Sequence, residues 1–126
     1  MDYTHTLKTL NSTFFVLVHV KSTFNNILVT ITDLQGNVLF GASPGILGFK
    51  GSKRATSYAA QLVGESLCKK MLKNGISTAK ILLKGIGKGR HSVIMGLKSS
   101  GIVITAINDI TNIPHNGCRV KKQRRV

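Results

Sequence analysis

The sequence predicts an α/β layered domain, a mixed five-stranded sheet with helices packed on it. Three observations carry the prediction. Three strand-like runs in the first third are joined by short polar connections, which implies an antiparallel meander. From Val38 the order becomes strand, helix, strand, helix, strand, two crossover units whose right-handedness forces those strands parallel. Finally, 126 residues with 42% apolar content build one core and not two.

Met1 to Thr13 is polar and aperiodic, a loosely held segment ahead of the domain. Phe14 to Val20 is almost continuously apolar and β-branched, as in a strand covered on both faces. After Lys21 to Asn26, Ile27, Val29 and Ile31 alternate with Leu28, Thr30 and Thr32, the period of a second strand. Asp33-Leu34-Gln35-Gly36-Asn37 has turn chemistry, and Val38 to Ala42 follows as the third strand. Ser43 to Arg54 reads as a flexible basic loop. Thr56 is the expected N-cap of a helix running to about Asn74, with Tyr58, Ala59, Leu62, Val63 and Ser66 on one stripe and Gly75 as its stop. Leu67, Met71 and Leu72 fall off that stripe, so its last turns are either buried on a broader face or frayed. Ala79 to Lys84 is a short buried strand, Arg90 to Ser99 a second helix closed by Gly101, and Ile102 to Asn108 the last strand. The domain therefore spans residues 14–112 and leaves residues 113–126 as a tail.

Charge is the strongest global signal. Eighteen Lys and Arg stand against four acids, a net charge of +14, and a compact domain at that charge repels itself unless a polyanion neutralises it. Nucleic acid fits. A membrane surface fits less well, because no helix pairs a basic face with a large apolar one and no apolar run is long enough to span a bilayer. Cys68 and Cys118 have neither zinc-ribbon nor disulfide spacing, which suits a reducing compartment. No signal-peptide core or Arg-rich amphipathic leader is visible at the start.

The tail from Pro114 loses all apolar periodicity, and five of its last eight residues are Lys or Arg. At full stretch its thirteen residues reach roughly 40 Å, about twice the width of a duplex. It reads as an arm that an anion orders, the alternative being a solvated terminus. In the loop Gly45 to Arg54, glycines admit a close phosphate chain while Lys50, Lys53, Arg54 and the following helix N-terminus attract it. Phe49 in that loop either stacks on a base or plugs the loop onto the core, the plug being favoured. Gly85-Ile86-Gly87-Lys88-Gly89-Arg90 lacks the Walker spacing, so it is a nucleic-acid phosphate contact through Lys88 and Arg90 or a turn needing positive φ. Asn116-Gly117 is the pair most prone to succinimide formation, or an ordinary turn. His115 and Cys118 lack further ligands for a metal. A two-metal nuclease would need clustered carboxylates, whereas Asp2, Asp33, Glu65 and Asp109 are scattered and the first strand has none; no Ser–His–Asp or Cys–His set is legible either.

Ser22-Thr23-Phe24-Asn25-Asn26, Thr30-Ile31-Thr32-Asp33 with Gly36-Asn37, Ala59-Ala60-Gln61, the Lys84-Gly85 to Gly89-Arg90 turn and Pro114-His115-Asn116-Gly117-Cys118-Arg119 together resemble the universal ribosomal protein eleven of the small subunit, over Phe14 to Val126. The resemblance implies a ribonuclease-H-like three-layer fold with sheet order 3-2-1-4-5. It implies a structural, non-enzymatic constituent of the small ribosomal subunit, seated on rRNA at the platform near the mRNA exit beside other platform proteins, with no cofactor, metal or small-molecule substrate. It places rRNA contacts at Asn25, Asn26, Lys50, Lys53, Arg54, Lys88, Arg90, His115, Asn116, Arg119, Lys121, Lys122, Arg124 and Arg125, with Asn116 a possible isoaspartate site. The chain departs from the family pattern where Ile86, Lys88 and Val120-Lys121 replace prolines, and its lysine-rich N-terminal extension is nearly absent. Those departures and the lack of a transit peptide point to an organelle-encoded protein of the mitochondrial matrix, a bacterial or plastid origin being the alternative. A general basic nucleic-acid binder is the competing function.

Overall fold

The computed structural model describes residues 15–99 and 101–125, so the expected N-terminal segment, residues 1–13, lies outside the described residues. Strands β1 (Phe15–Ser22), β2 (Ile27–Thr32) and β3 (Val38–Ala42) form the meander. A 3-10 turn over Gly51–Ala55 leads into helix α1 (Ser57–Lys73), followed by β4 (Thr78–Lys84), α2 (Gly89–Ser99) and β5 (Val103–Asp109). The five strands lie in the order β3-β2-β1-β4-β5. β2 is antiparallel to β1 and β3, while β1, β4 and β5 are parallel, so β2 alone runs against the rest. The α/β class, the mixed sheet and its order match expectation.

Layering follows from the crossovers. The connection from β3 to β4 and that from β4 to β5 step the same way across the sheet, and right-handed steps in one direction put both helices on one face. The face opposite them, where the expected third layer would lie, carries no helix among the described residues. Val16, Val18 and Val20 of β1, Ile27, Val29 and Ile31 of β2 and Ala79 and Ile81 of β4 meet Val63, Leu67, Met71, Val93 and Leu97 of the helices in one core. At each buried Leu or Met, truncation to Ala costs about 2–5 kcal/mol. The helices cross where Gly64 faces Gly96; a methyl on Gly96 would come within 2.5 Å of the Gln61 carbonyl oxygen, so the backbones touch only because both residues lack side chains.

The first strand is covered on one face only. Phe15, Leu17 and His19 are half-buried on the open face, where His19 Nε2 lies 3.0 Å from Thr32 Oγ1, so the continuous apolar run marks a central strand rather than two covered faces. The buried face of α1 is broader than the expected stripe. Ala59 and Val63 are buried as expected, Ala60, Gly64, Leu67, Cys68 and Met71 are buried with them, and Tyr58 and Leu72 are exposed, because the helix packs on both the sheet and α2. Helix ends were legible. Thr56 Oγ1 accepts from the Ala59 amide at 3.3 Å, and Gly75 with φ +78° follows the C-cap Asn74.

Candidate nucleic-acid interface

Topology brings the basic segments together before any side chain is considered. Because β1, β3, β4 and β5 all point the same way, their C-terminal ends share one edge of the sheet. From that edge leave the Thr23–Asn26 turn, the basic loop after Ala42, the glycine turn after Lys84 and the segment that becomes the tail after Asp109. In open α/β sheets this is the end at which ligands bind.

The basic loop is folded rather than flexible. Ile46 N donates to Ser43 O and Phe49 N to Pro44 O, at 3.1 and 3.0 Å, and the chain then tightens into the 3-10 turn. Arg54 Nε reaches back to Gly51 O at 3.3 Å, and Thr56 Oγ1 donates to Lys53 O at 2.8 Å. Lys50 and Lys53 are left exposed. Phe49 is half-buried with its ring edge-on to the exposed Tyr58, centroids 6.2 Å apart, so it holds the loop to the outer side of α1 rather than reaching the core as expected.

The Thr23–Asn26 turn and the glycine turn are locked against each other. Thr23 N donates to Asn26 O at 2.9 Å, Asn26 N donates to Thr23 Oγ1 at 3.0 Å, and Ile27 N donates to Asn26 Oδ1 at 2.9 Å. Asn26 thus spends its side-chain oxygen on the turn, while Asn25 is exposed. Gly85 has φ +91°, as the turn reading requires, whereas Gly87 is a matter of space: a methyl there would lie 1.9 Å from Ser22 Oγ, a buried hydroxyl with no hydrogen-bond partner. Lys88 is exposed. Arg90 instead pairs with Asp109, Nη2 to Oδ2 at 2.8 Å. The Thr111 hydroxyl and amide, and then Arg90, hold the Asp109 carboxyl down at about 2, so it stays charged. Thr111 Oγ1 also accepts from Gly85 N at 3.1 Å, tying the root of the tail to the glycine turn.

Beyond Thr111 the described residues form no helix or strand, and His115, Asn116, Arg119, Lys121, Lys122, Arg124 and Arg125 are all exposed. Asn116 has φ +68° and Gly117 φ +21°, a left-handed turn at the Asn-Gly pair. Sequence reasoning missed three residues at this edge. Lys21 and Lys84 are direct register partners on β1 and β4, and Phe24 projects from the locked turn; the lysine pair needs the register, while an aromatic amid Thr and Asn in a turn was the available signal for Phe24.

With this edge assembled, comparison with protein families matches residues 16–125 to Ribosomal protein S11. The chain belongs to the ribosomal protein S11 family. Members are structural proteins of the small ribosomal subunit that bind rRNA and assemble with other ribosomal proteins. The S11 match covers all four segments at the basic edge, tail included up to Arg125. Among the described residues no helix is long and apolar enough to cross a membrane.

Proposed function

We propose that this S11 protein seats on small-subunit rRNA at the platform, near the mRNA exit and beside neighbouring platform proteins, using the edge where β1, β3, β4 and β5 end. The observation that carries this is the convergence of the basic loop, the glycine turn and the tail on one edge where Asp109, the one acid there among the described residues, is already paired with Arg90. Lys50, Lys53, Arg54, Lys88 and the free side of Arg90 take phosphates around the domain, and Asn25 and Asn26 sit on the sugar–phosphate chain beside them. His115, Asn116, Arg119, Lys121, Lys122, Arg124 and Arg125 run along the rRNA as an extended arm. The chain works as a domain of residues 14–112 with a tail of 113–126. It serves the mitochondrial ribosome, a reading supported by Ile86, Lys88 and Val120-Lys121 in place of family prolines. Asn116, in an Asn-Gly turn, is its site of isoaspartate formation.

Sedimentation of a native lysate at moderate salt with magnesium tests this. The chain should peak with the small ribosomal subunit and stay there after a salt wash; recovery only in free or DNA-bound fractions would make it a general nucleic-acid binder.

A further inference from the structure

Phe24 is 81% exposed, and it is not a loosely held residue. Its turn is closed by four hydrogen bonds between Thr23, Asn26 and Ile27, and the neighbouring Gly85–Gly87 backbone presses on Ser22 and Thr23 so closely that no side chain fits between. Ile86, at the tip of that second turn, is 69% exposed. A rigid support that presents an aromatic ring to solvent gains nothing for the fold, since the ring is not buried. Directly behind the two turns, Lys21 and Lys84 stand side by side in the parallel register of β1 and β4. Both alternate onto the open face and help line a hollow with His19, Leu28, Leu82 and Ile110. Like charges in adjacent register repel, and among the described residues no acid lines that hollow to separate them. An anion is the missing partner. A ring without a packing partner beside a lysine pair without a counter-charge matches one chemical unit, an unpaired nucleotide, which offers a π face and a phosphate together.

We propose that Phe24 stacks on an unpaired base of the rRNA while Lys21 and Lys84 hold the phosphates that flank it. This rests on the rRNA-binding reading and adds to it a base contact separate from the backbone contacts of the loops and tail. Stacking on a π face releases no counterions, whereas each lysine–phosphate contact does, so the two halves of the unit separate by their salt dependence.

The chain contains no Trp, so F24W introduces a single reporter. Wild type, F24W, F24L and K21Q/K84Q, all as full chains, are titrated with transcribed small-subunit rRNA over a range of salt. F24W should bind within about twofold of wild type with its emission quenched. F24L should bind roughly 10- to 100-fold more weakly with an unchanged salt slope, and K21Q/K84Q should reduce the slope by about two. Coincident thermal melts are expected for the Phe24 variants, whose side chain is outside the core, while K21Q/K84Q should melt slightly above wild type because the like-charge pair is gone. Equal binding by F24L and wild type would overturn the stacking contact alone. So would an F24W emission that ignores rRNA and turns blue and brighter only in assembled subunits, because that would give the ring to an apolar protein neighbour. Failure of the wild-type chain to bind rRNA would overturn the underlying reading and the stacking contact with it.

Discussion

At the end of the sheet where β2 turns into β3, polar groups satisfy one another; at the opposite end, where β1, β3, β4 and β5 finish, most are left for something else. Asp33, 6% exposed, is the centre of the first end. Its carboxylate accepts from Gln35 N at 2.9 Å, Asn37 N at 2.8 Å and Asn37 Nδ2 at 3.0 Å. Burial pushes the Asp33 pKa up, but those hydrogen bonds from Asn37 and Gln35 outweigh it and hold the carboxyl below its ordinary 3.8. At the other end Arg90 is the cation with an acidic partner, while Lys50, Lys53, Lys88 and the tail cations are exposed. One end spends its hydrogen bonds on the fold. The other spends fold stability, through an adjacent lysine pair and glycine contacts, on presenting charge.

The sharpest way to separate the two ends is to remove the tail. Deleting Arg119 to Val126 should lower rRNA affinity by on the order of 100-fold or more near physiological salt and flatten the salt dependence by about four. The melting temperature should not move, and an unfolded truncation would show that the tail belongs to the core. Next comes Gly87→Ala, whose methyl would meet Ser22 Oγ at 1.9 Å. Pushing the two turns apart should cost about 2–4 kcal/mol of stability and weaken rRNA binding as well, read by denaturant titration and filter binding.

Asp33→Ala should behave in the opposite sense. It removes the charged acceptor of the Gln35 and Asn37 amides and costs about 1–3 kcal/mol of stability, yet the folded fraction should bind rRNA as well as wild type. Because the Asp33 pKa is lower folded than unfolded, its contribution is present above the ordinary 3.8 and is lost as pH falls through the lower folded value. Acid titrations of wild type and variant should therefore differ above that window and converge below it. The smallest effect belongs to Asp109→Asn. Freeing Arg90 should raise rRNA affinity a few-fold and steepen the salt dependence by about one, with the melt little changed.

Legibility in the sequence followed the range of the interaction. Thr56 as the cap, Gly75 as the stop and the Ile27-Val29-Ile31 alternation are local signals, and each sits where the pattern put it. On α1, Ala59 and Val63 are buried as the pattern put them, but Tyr58 looks like core until the positions of the sheet and α2 fix how wide the inward face is. Nor could periodicity show that both helices share a face, since that depends on the direction in which each crossover steps. At the interface, glycine and lysine runs announced the loops and tail. The Arg90–Asp109 pair and the Lys21–Lys84 neighbours join residues far apart in the chain, and only strand register reveals them.

One comparison tests most directly whether the edge, rather than total charge, binds rRNA. K50Q/K53Q/K88Q removes three exposed lysines from the C-terminal strand edge, and K69Q/K70Q/K73Q removes three exposed lysines toward the far end of α1. With rRNA affinity measured across salt for both, the first variant should lose on the order of tenfold in affinity and about three in slope, while the second stays within about twofold of wild type. Equal losses from the two variants would contradict it and leave binding to net charge alone.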